Sequence, residues 1–232
     1  MTSFNTTGNA SLTCINVDDV SYSTTNWTNI DGTSSFNAFC DGTYVPDNNF
    51  ETYLETHTSN GTVVSIGDAN SMGNGALDDY VPNSKIETVL SLNISNQNIS
   101  DLTGIAGFTD LESLIANNNN LTTLDISSNT TLKDLDCSSN SLTTLDVGNN
   151  TGLTSLTINN TSITSLDLRV HTSLNSLNAQ NAALTSLDIR NGNNTNMSTF
   201  NVGSNFDLTC VSVDDVDYAT NNWSPLSDGY SL

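Results

Sequence analysis

The chain has 232 residues, 4 Lys+Arg against 25 Asp+Glu, and a formal net charge of −21. Asn alone occurs 36 times, and Leu, Ile, Val and Phe together make 57 residues, just above the level at which a highly charged chain stays unfolded. Four cations cannot neutralise a track of phosphates, anionic membrane surfaces repel such a chain, and no apolar run approaches the ~18 residues that span a bilayer. No basic region followed by an apolar stretch, the mark of a secretory leader, is legible at the N-terminus.

Residues 1–44 read as a cap module. Residues 1–27 align without a gap with 197–223, at an offset of 196. Met1, Phe4, Asn5, Asn9, Leu12, Thr13, Cys14 and Val17 match Met197, Phe200, Asn201, Asn205, Leu208, Thr209, Cys210 and Val213. Asp18, Asp19, Val20, Tyr22, Thr24, Asn26 and Trp27 match Asp214, Asp215, Val216, Tyr218, Thr220, Asn222 and Trp223, which makes 15 identities in 27 positions. The module therefore resembles the end of a preceding repeat domain. Two arrangements account for it: one register of a longer tandem array with a unit of about 196 residues, or one protein with a duplicated cap at each end. Cys14 and Cys40 bracket the module and are placed to form a structural disulfide, which fits an oxidising setting.

Residues 45–88 read as an N-terminal cap with a short helix and a polar loop. Asp47 is the candidate N-cap, with Phe50, Tyr53 and Leu54 on one face behind it. The loop that follows offers a calcium candidate. Asp68, Asn70, Gly73 and Asp79 fall at places 1, 3, 6 and 12 of an EF-type loop, with Asn74 beside them as a further oxygen donor. Met72 occupies a ligand place, and the last ligand is Asp where Glu is usual. The alternative is a polar capping loop that needs no metal.

Residues 89–209 carry an internal repeat. LESLIANNNNLTTLDISSNTT starts at Leu111, LKDLDCSSNSLTTLDVGNNTG at Leu132, LTSLTINNTSITSLDLRVHTS at Leu153 and LNSLNAQNAALTSLDIRNGNN at Leu174, with a period of 21 and looser copies at Val89 and Met197. The pattern resembles the leucine-rich repeat, L-x-x-L-x-L-x-x-N-x-L. Leu111, Leu114, Ala116, Asn119 and Leu121 match it, as do Leu132, Leu135, Cys137, Asn140 and Leu142. Leu153, Leu156, Ile158 and Ile163 follow with Thr161 at the Asn place, then Leu174, Leu177, Ala179 and Leu184 with Ala182 there. The expected fold is a mainly β solenoid of short coils with a short capping helix and β-rich end caps, in which stacked coils share one core. Coils this short leave little room for a convex helix, so the second half of each, L-x-x-L-D-[ILV], is expected to run extended too. Cys137 then stands at an inward leucine-like place as a buried thiol.

VPDNNFETYL, with LNISNQNISDLTGIAGFTDLESL further on, resembles secreted leucine-rich-repeat proteins of marine flavobacteria. That resemblance implies an extracellular or cell-surface location and a role in adhesion or binding, and no reaction.

Residues 210–232 read as a C-terminal cap, a partial copy of 14–36. Cys210 is the counterpart of Cys14, and its partner would fall near position 236. No C-x-x-C pair supports zinc.

Asp125, Asp146, Asp167 and Asp188 recur every 21 residues. Coils about 4.8 Å apart would set these charges against one another, so donors, cations or protonation must relieve them. The column Thr123, Thr144, Ser165, Ser186 is the candidate donor set, and a diffuse calcium site the alternative. The outward strand residues, Ser91/Asn93, Ser113/Ile115, Asp134/Asp136, Ser155/Thr157, Ser176/Asn178 and Thr199/Asn201, lack the Trp, Tyr and Arg anchors of binding hot spots. Neither His57 nor His171 neighbours a nucleophile with an orienting acid, so no catalytic set is expected. The expectation is a non-catalytic extracellular structural or adhesion module that stacks head-to-tail on copies of itself. The alternative is a recognition module that binds a protein or polysaccharide through its concave sheet. Neither nucleic acid nor membrane insertion enters as a partner.

Overall fold

The computed structural model describes residues 4–12, 14–17, 19–37 and 40–223. Met1, Thr13 and Asp18 of the duplicated segment, and 224–232 of the C-terminal cap, lie outside the described residues. The chain forms two compact units, Met1–Gly42 and Thr43–Leu232.

The first unit contains strand β1 (Cys14–Asn16), helix α1 (Val20–Asn26) and strand β2 (Ser35–Asn37). β1 and β2 are parallel, with Cys14 opposite Ser35 and Ile15 opposite Phe36. Asp19 caps α1 by accepting the Tyr22 amide at 2.8 Å. An aromatic cluster stands in for a core: Trp27 stacks on Phe4 with centroids 4.9 Å apart and meets Phe36 edge-on at 5.8 Å. The Asp31 carboxylate accepts the amides of Gly8 and Asn9 at 3.1 and 2.6 Å. Cys14 and Cys40 are joined as a disulfide with Cα atoms 5.6 Å apart. A unit this small has little apolar area to bury, and such a crosslink limits the freedom of its unfolded chain.

β3 (Gly42–Tyr44) spans the boundary, and helix α2 (Asn48–Thr56), β4 (Tyr80–Pro82) and the single-turn helix α3 (Asn83–Ile86) follow it in the second unit. Asp47 is the α2 cap: Oδ1 accepts the Asn49 and Phe50 amides, both at 3.0 Å. Its other oxygen accepts the Ser100 amide and hydroxyl, each at 2.8 Å, and the Asp101 amide at 3.1 Å. Burial alone would raise this carboxyl, but the bonds from Ser100, Phe50 and Asp101 outweigh it and hold it below its usual range. One side chain thus starts the cap helix and fastens it to the first coil. Phe50 and Leu54 are fully buried on the face so presented, and Tyr53 nearly so.

The coils follow. β5 (Ser91–Asn93), β6 (Ser113–Ile115), β7 (Asp134–Asp136), β8 (Ser155–Thr157), β10 (Ser176–Asn178) and β12 (Thr199–Asn201) form one six-stranded parallel sheet. β9 (Ser165–Asp167), β11 (Ser186–Asp188) and β13 (Val211–Ser212) form a second, and α4 (Val216–Asn222) ends the described chain. Register follows the repeat: Leu92, Leu114, Leu135, Leu156 and Leu177 stand side by side, then Phe200. The next inward column, Ile94, Ala116, Cys137, Ile158, Ala179 and Val202, is buried throughout. Each buried Leu or Ile contributes about 1.5–3 kcal/mol, and a single line of them per coil suffices because neighbouring coils share it.

The second half of the coil is extended and paired only in β9, β11 and β13. At 123–126 and 144–147, where the second half was expected to run extended, no strand pairing forms. In the first coil a 3₁₀ turn, Ile105–Gly107, follows the corresponding stretch.

A left-handed residue recurs in every coil turn: Asn96, Asn118, Ser139, Asn160, Asn181 and Ser204, with φ from 52° to 61°. Asn tolerates this conformation better than other non-Gly residues, which accounts for part of the Asn excess. Ala183, at φ 63°, has no such tolerance. Ala183→Gly is therefore expected to raise stability by about 0.5–1 kcal/mol, read as a higher Tm in thermal melts, and an unchanged or lower Tm would contradict the strain assigned here.

Candidate functional site

The six-stranded sheet has the most strands of any sheet in the second unit, and its outward face is the candidate surface. Its side chains are those the repeat predicts, and each is exposed or half-buried. Lys133 pairs with Glu112 at 2.7 Å, and Thr154 donates to Asp134 at 3.2 Å. None of these outward positions is aromatic. The face is hydroxyl- and amide-rich with two acids, Asp134 and Asp136, on its middle strand β7.

The Asp column is satisfied differently from the expected Thr/Ser donors. Each carboxylate accepts the backbone amide two residues on: Ser127 to Asp125 at 3.0 Å, Gly148 to Asp146 at 2.8 Å, Arg169 to Asp167 at 3.1 Å and Arg190 to Asp188 at 3.2 Å. These are Asx turns, which fix the corner after each coil half. The last two also meet guanidinium groups: Arg169 reaches Asp167 at 2.7 Å and Arg190 reaches Asp188 at 2.6 Å. The Arg169 hydrogen bonds hold the Asp167 carboxyl at about 2. Ser127 hydroxyl and amide lower that of Asp125, and Arg190 lowers that of Asp188. Two of the chain's four cations are spent on this column.

Beneath the surface run two columns of buried amides. Asn119 Oδ1 accepts the Gln97 and Ile99 amides at 3.0 Å while its Nδ2 donates to Ile94 and Ala116 carbonyls. Asn140 repeats this one coil on, with Leu121, Ala116 and Cys137 as partners, and Asn205 serves the last coil. Thr161 donates to Ile158, whereas Ala182 has no side-chain donor or acceptor and gives its own amide to Asn205. A second column escaped sequence reasoning. Asn129 donates to Ile105 and Phe108, Asn150 to Ile126 and Asn129, and His171 Nε2 lies 3.0 Å from the Val147 carbonyl. Asn191 continues it onto the His171 carbonyl. A carbonyl only accepts, so His171 carries its hydrogen on Nε2 and serves as a ladder member. The signal was the spacing of 21 from Asn129 to Asn150 to His171. It was masked by abundant Asn elsewhere and by the change to His.

The calcium candidates are tied to other partners. Asp68 Oδ1 accepts the Asn70 amide at 2.8 Å and its side-chain Nδ2 at 3.1 Å. Asn74 Nδ2 donates to both Asp78 oxygens, and the Asp79 amide donates to Glu51 Oε1 at 2.5 Å. Among the described residues no three His, Cys, Asp or Glu side chains converge as metal ligands would. The loop is instead organised from the other side by two buried glutamates of α2. Glu51 accepts the Asp78 and Asp79 amides, and Glu55 those of Asn74 and Gly75 at 2.6 and 2.7 Å. Lys85 completes the knot by donating to the Gly73 carbonyl at 2.8 Å. A Cβ on Gly73 would overlap the Glu55 carboxylate, so this glycine makes room for a carboxylate. Burial raises the Glu51 carboxyl, the Asp78 and Asp79 amides partly offset that, and the Asp79 and Asp78 charges add to the rise.

His57 stacks on Tyr53 at 3.9 Å, with Nδ1 2.9 Å from the Tyr53 carbonyl, and closes the end of α2. Cys137 is buried, and desolvation pushes its thiol to about 12. No helix among the described residues is long and apolar enough to cross a membrane.

No family model matches the chain, and neither does any curated protein. Solved structures do. The functional domain of InlJ from Listeria monocytogenes, which includes a cysteine ladder, is 31% identical, with a TM-score of 0.58 over 72% of this chain and 36% of that one. An internalin, inlF, of the same species is 21% identical, with a TM-score of 0.56 over 75% of this chain and 52% of that one. The fold is a leucine-rich-repeat solenoid. Its solved neighbours are bacterial leucine-rich-repeat proteins, and the chain spans about a third to a half of their length.

Three outcomes follow from this geometry. His171→Asn, which continues the column, is expected to hold stability close to the parent, while His171→Ala costs about 1–3 kcal/mol in denaturant melts by removing the buried Nε2 bond to the Val147 carbonyl and leaving a cavity; equal losses would remove the ladder role. The two glutamates make the loop self-sufficient, so EDTA should leave Tm unchanged, and a clear drop would favour the calcium reading. Glu51 has a raised carboxyl, so its neutral form suits the folded state, and that stability is present at low pH and lost as pH rises through the folded value. Glu51→Gln should accordingly raise Tm at pH 7, with the gain shrinking toward the ordinary carboxylate range; a gain that is absent or constant with pH would contradict it.

Proposed function

We propose that the chain is a non-catalytic, extracellular adhesion or scaffold module that works in tandem, head-to-tail with copies of itself. The observation that supports this most directly is the recurrence of one cap geometry at two places in the chain. Asp19 caps α1 through Tyr22 at 2.8 Å, and Asp215 caps α4 through Tyr218 at 2.8 Å. Phe4 stacks on Trp27 and Phe200 on Trp223, with the same interplanar angle of 21°. The end of a solenoid thus occurs ahead of a solenoid. A heterologous contact of this kind propagates into open arrays when its rotation does not close. The disulfide of the first unit favours an oxidising compartment.

The second reading is recognition of a protein or polysaccharide through the concave sheet. The likeness to the functional domain of InlJ favours it, and the acids on β7 would prefer a cationic or hydroxyl-rich ligand. The small polar face supplies few anchors for tight binding, which is why the tandem reading is put first.

Negative-stain microscopy of the protein with its native flanks separates the two. Strings or fibres whose axial repeat approaches one solenoid length are expected. Discrete particles with one solenoid each would overturn the tandem reading.

A further inference from the structure

Asparagine is followed by glycine at three places, Asn60, Asn74 and Asn191. Such a pair can close on itself, because no side chain on the glycine hinders its amide from reaching the carboxamide carbon. The three pairs are held differently. Asn191 is 4% exposed, its Nδ2 donates to the His171 carbonyl at 3.0 Å, and the Gly192 amide donates to Asp214 at 2.8 Å. Asn74 is half-buried, its Nδ2 donates to both Asp78 oxygens, and the Gly75 amide donates to Glu55 at 2.7 Å. In both pairs the side-chain amide is tied to an acceptor and the glycine nitrogen faces a carboxylate, whose charge opposes loss of the N–H proton. Asn60 and Gly61 are exposed on the turn 58–62. Asn60 Oδ1 accepts three hydrogen bonds, from the Thr58 hydroxyl at 2.5 Å, the Thr62 hydroxyl at 2.8 Å and the Thr62 amide at 3.2 Å. Among the described residues its Nδ2 has no acceptor, and the Gly61 amide meets only the Thr58 carbonyl, at 2.8 Å. Three donors thus converge on the oxygen that gains negative charge when a nucleophile adds to the carboxamide, which is the arrangement of an oxyanion hole.

We infer that Asn60–Gly61 is a self-modifying site, at which Asn60 deamidates through a cyclic imide. The Gly61 nitrogen loses its proton to hydroxide and bonds to Asn60 Cγ, while Thr58 and Thr62 hold the oxyanion. The Cγ–Nδ2 bond then breaks, and ammonia leaves with a proton taken from water. Water next opens the imide. Cleavage of the nitrogen–Cγ bond gives aspartate, and cleavage of the nitrogen–main-chain carbonyl bond gives isoaspartate. The balance is one asparagine and one water to one acid and one ammonia, with no redox change. The product places a new carboxylate on the wall of a cavity of about 130 Å³ that Tyr53, Met72, Ser91 and Asn93 also line. Ser91 and Asn93 are the outward residues of β5, at one end of the six-stranded sheet. The site therefore changes the charge of the candidate surface at its head, and isoaspartate also lengthens the main chain there by one carbon. It operates whether or not copies of the chain stack.

The test incubates the folded full chain in mildly alkaline buffer and follows all three pairs by peptide mapping and mass spectrometry, with isoaspartate distinguished by fragmentation. Asn74 and Asn191 in the same molecules are the internal controls. Asn60 is expected to convert at least about tenfold faster than either, and in urea, where the fold no longer protects the controls, the three rates should converge. Thr58→Val and Thr62→Val each remove one donor from Oδ1, so each should slow Asn60 several-fold in the folded chain. Slow conversion of Asn74 and Asn191 in these variants shows that the fold is intact. Native Asn60 that stays amidated while the urea-unfolded chain converts would overturn the inference. So would native rates at Asn74 or Asn191 equal to that at Asn60. Unchanged or faster conversion of Asn60 in both valine variants, beside protected controls, would also overturn it, since the three donors would then contribute nothing.

Discussion

A coil of 21 residues turns too tightly to satisfy its own backbone, and the hydrogen bonding of buried carbonyls and amides is the constraint on which the second unit depends. Every corner points peptide groups into a core only one or two side chains wide. Asn119, Asn140 and Asn205 on one side, and Asn129, Asn150, His171 and Asn191 on the other, reach across to the coil before. Their reach, about one repeat in sequence, welds adjacent coils and makes the fold a one-dimensional chain of neighbour contacts. An unpaired buried carbonyl costs more than one apolar contact returns, so these columns are as necessary as the leucines.

The same logic governs the charges. An excess of 21 negative charges would expand a thin fold if each carboxylate stood free in the field of the others. Most of those described are put to local use. Asp19, Asp47 and Asp215 cap helices, Asp125, Asp146, Asp167 and Asp188 close corners, and Glu51 and Glu55 hold a loop from within. Acidity here is mostly turn and cap chemistry.

What was readable in the sequence was whatever repeats in register with the apolar pattern: the strands, the inward columns, the first amide column and the Asp47 cap. Non-repeating contacts were not. Glu51 and Glu55 look like the polar side of a short helix, and only the fold shows that a loop some twenty residues later wraps over them. Within the EF-like spacing of Asp68, Asn70, Gly73 and Asp79, Gly73 leaves space for Glu55 and Asp79 adopts a left-handed turn at φ 66°. The outward Asp column was visible, but its donors were sought in the neighbouring side-chain column. The backbone amide two residues on is always at hand and needs no sequence signature.

Cys137 has a consequence of a different kind. It sits in the inward column between Ala116 and Ile158, fully buried, with its thiol held far from ionisation. A thiol there cannot take part in exchange while the coils are stacked. It becomes chemically visible only when neighbouring coils part, so a thiol-specific label applied over time counts openings of the middle of the solenoid. The protein thus carries, in one small side chain, a built-in reporter of how often its core breathes.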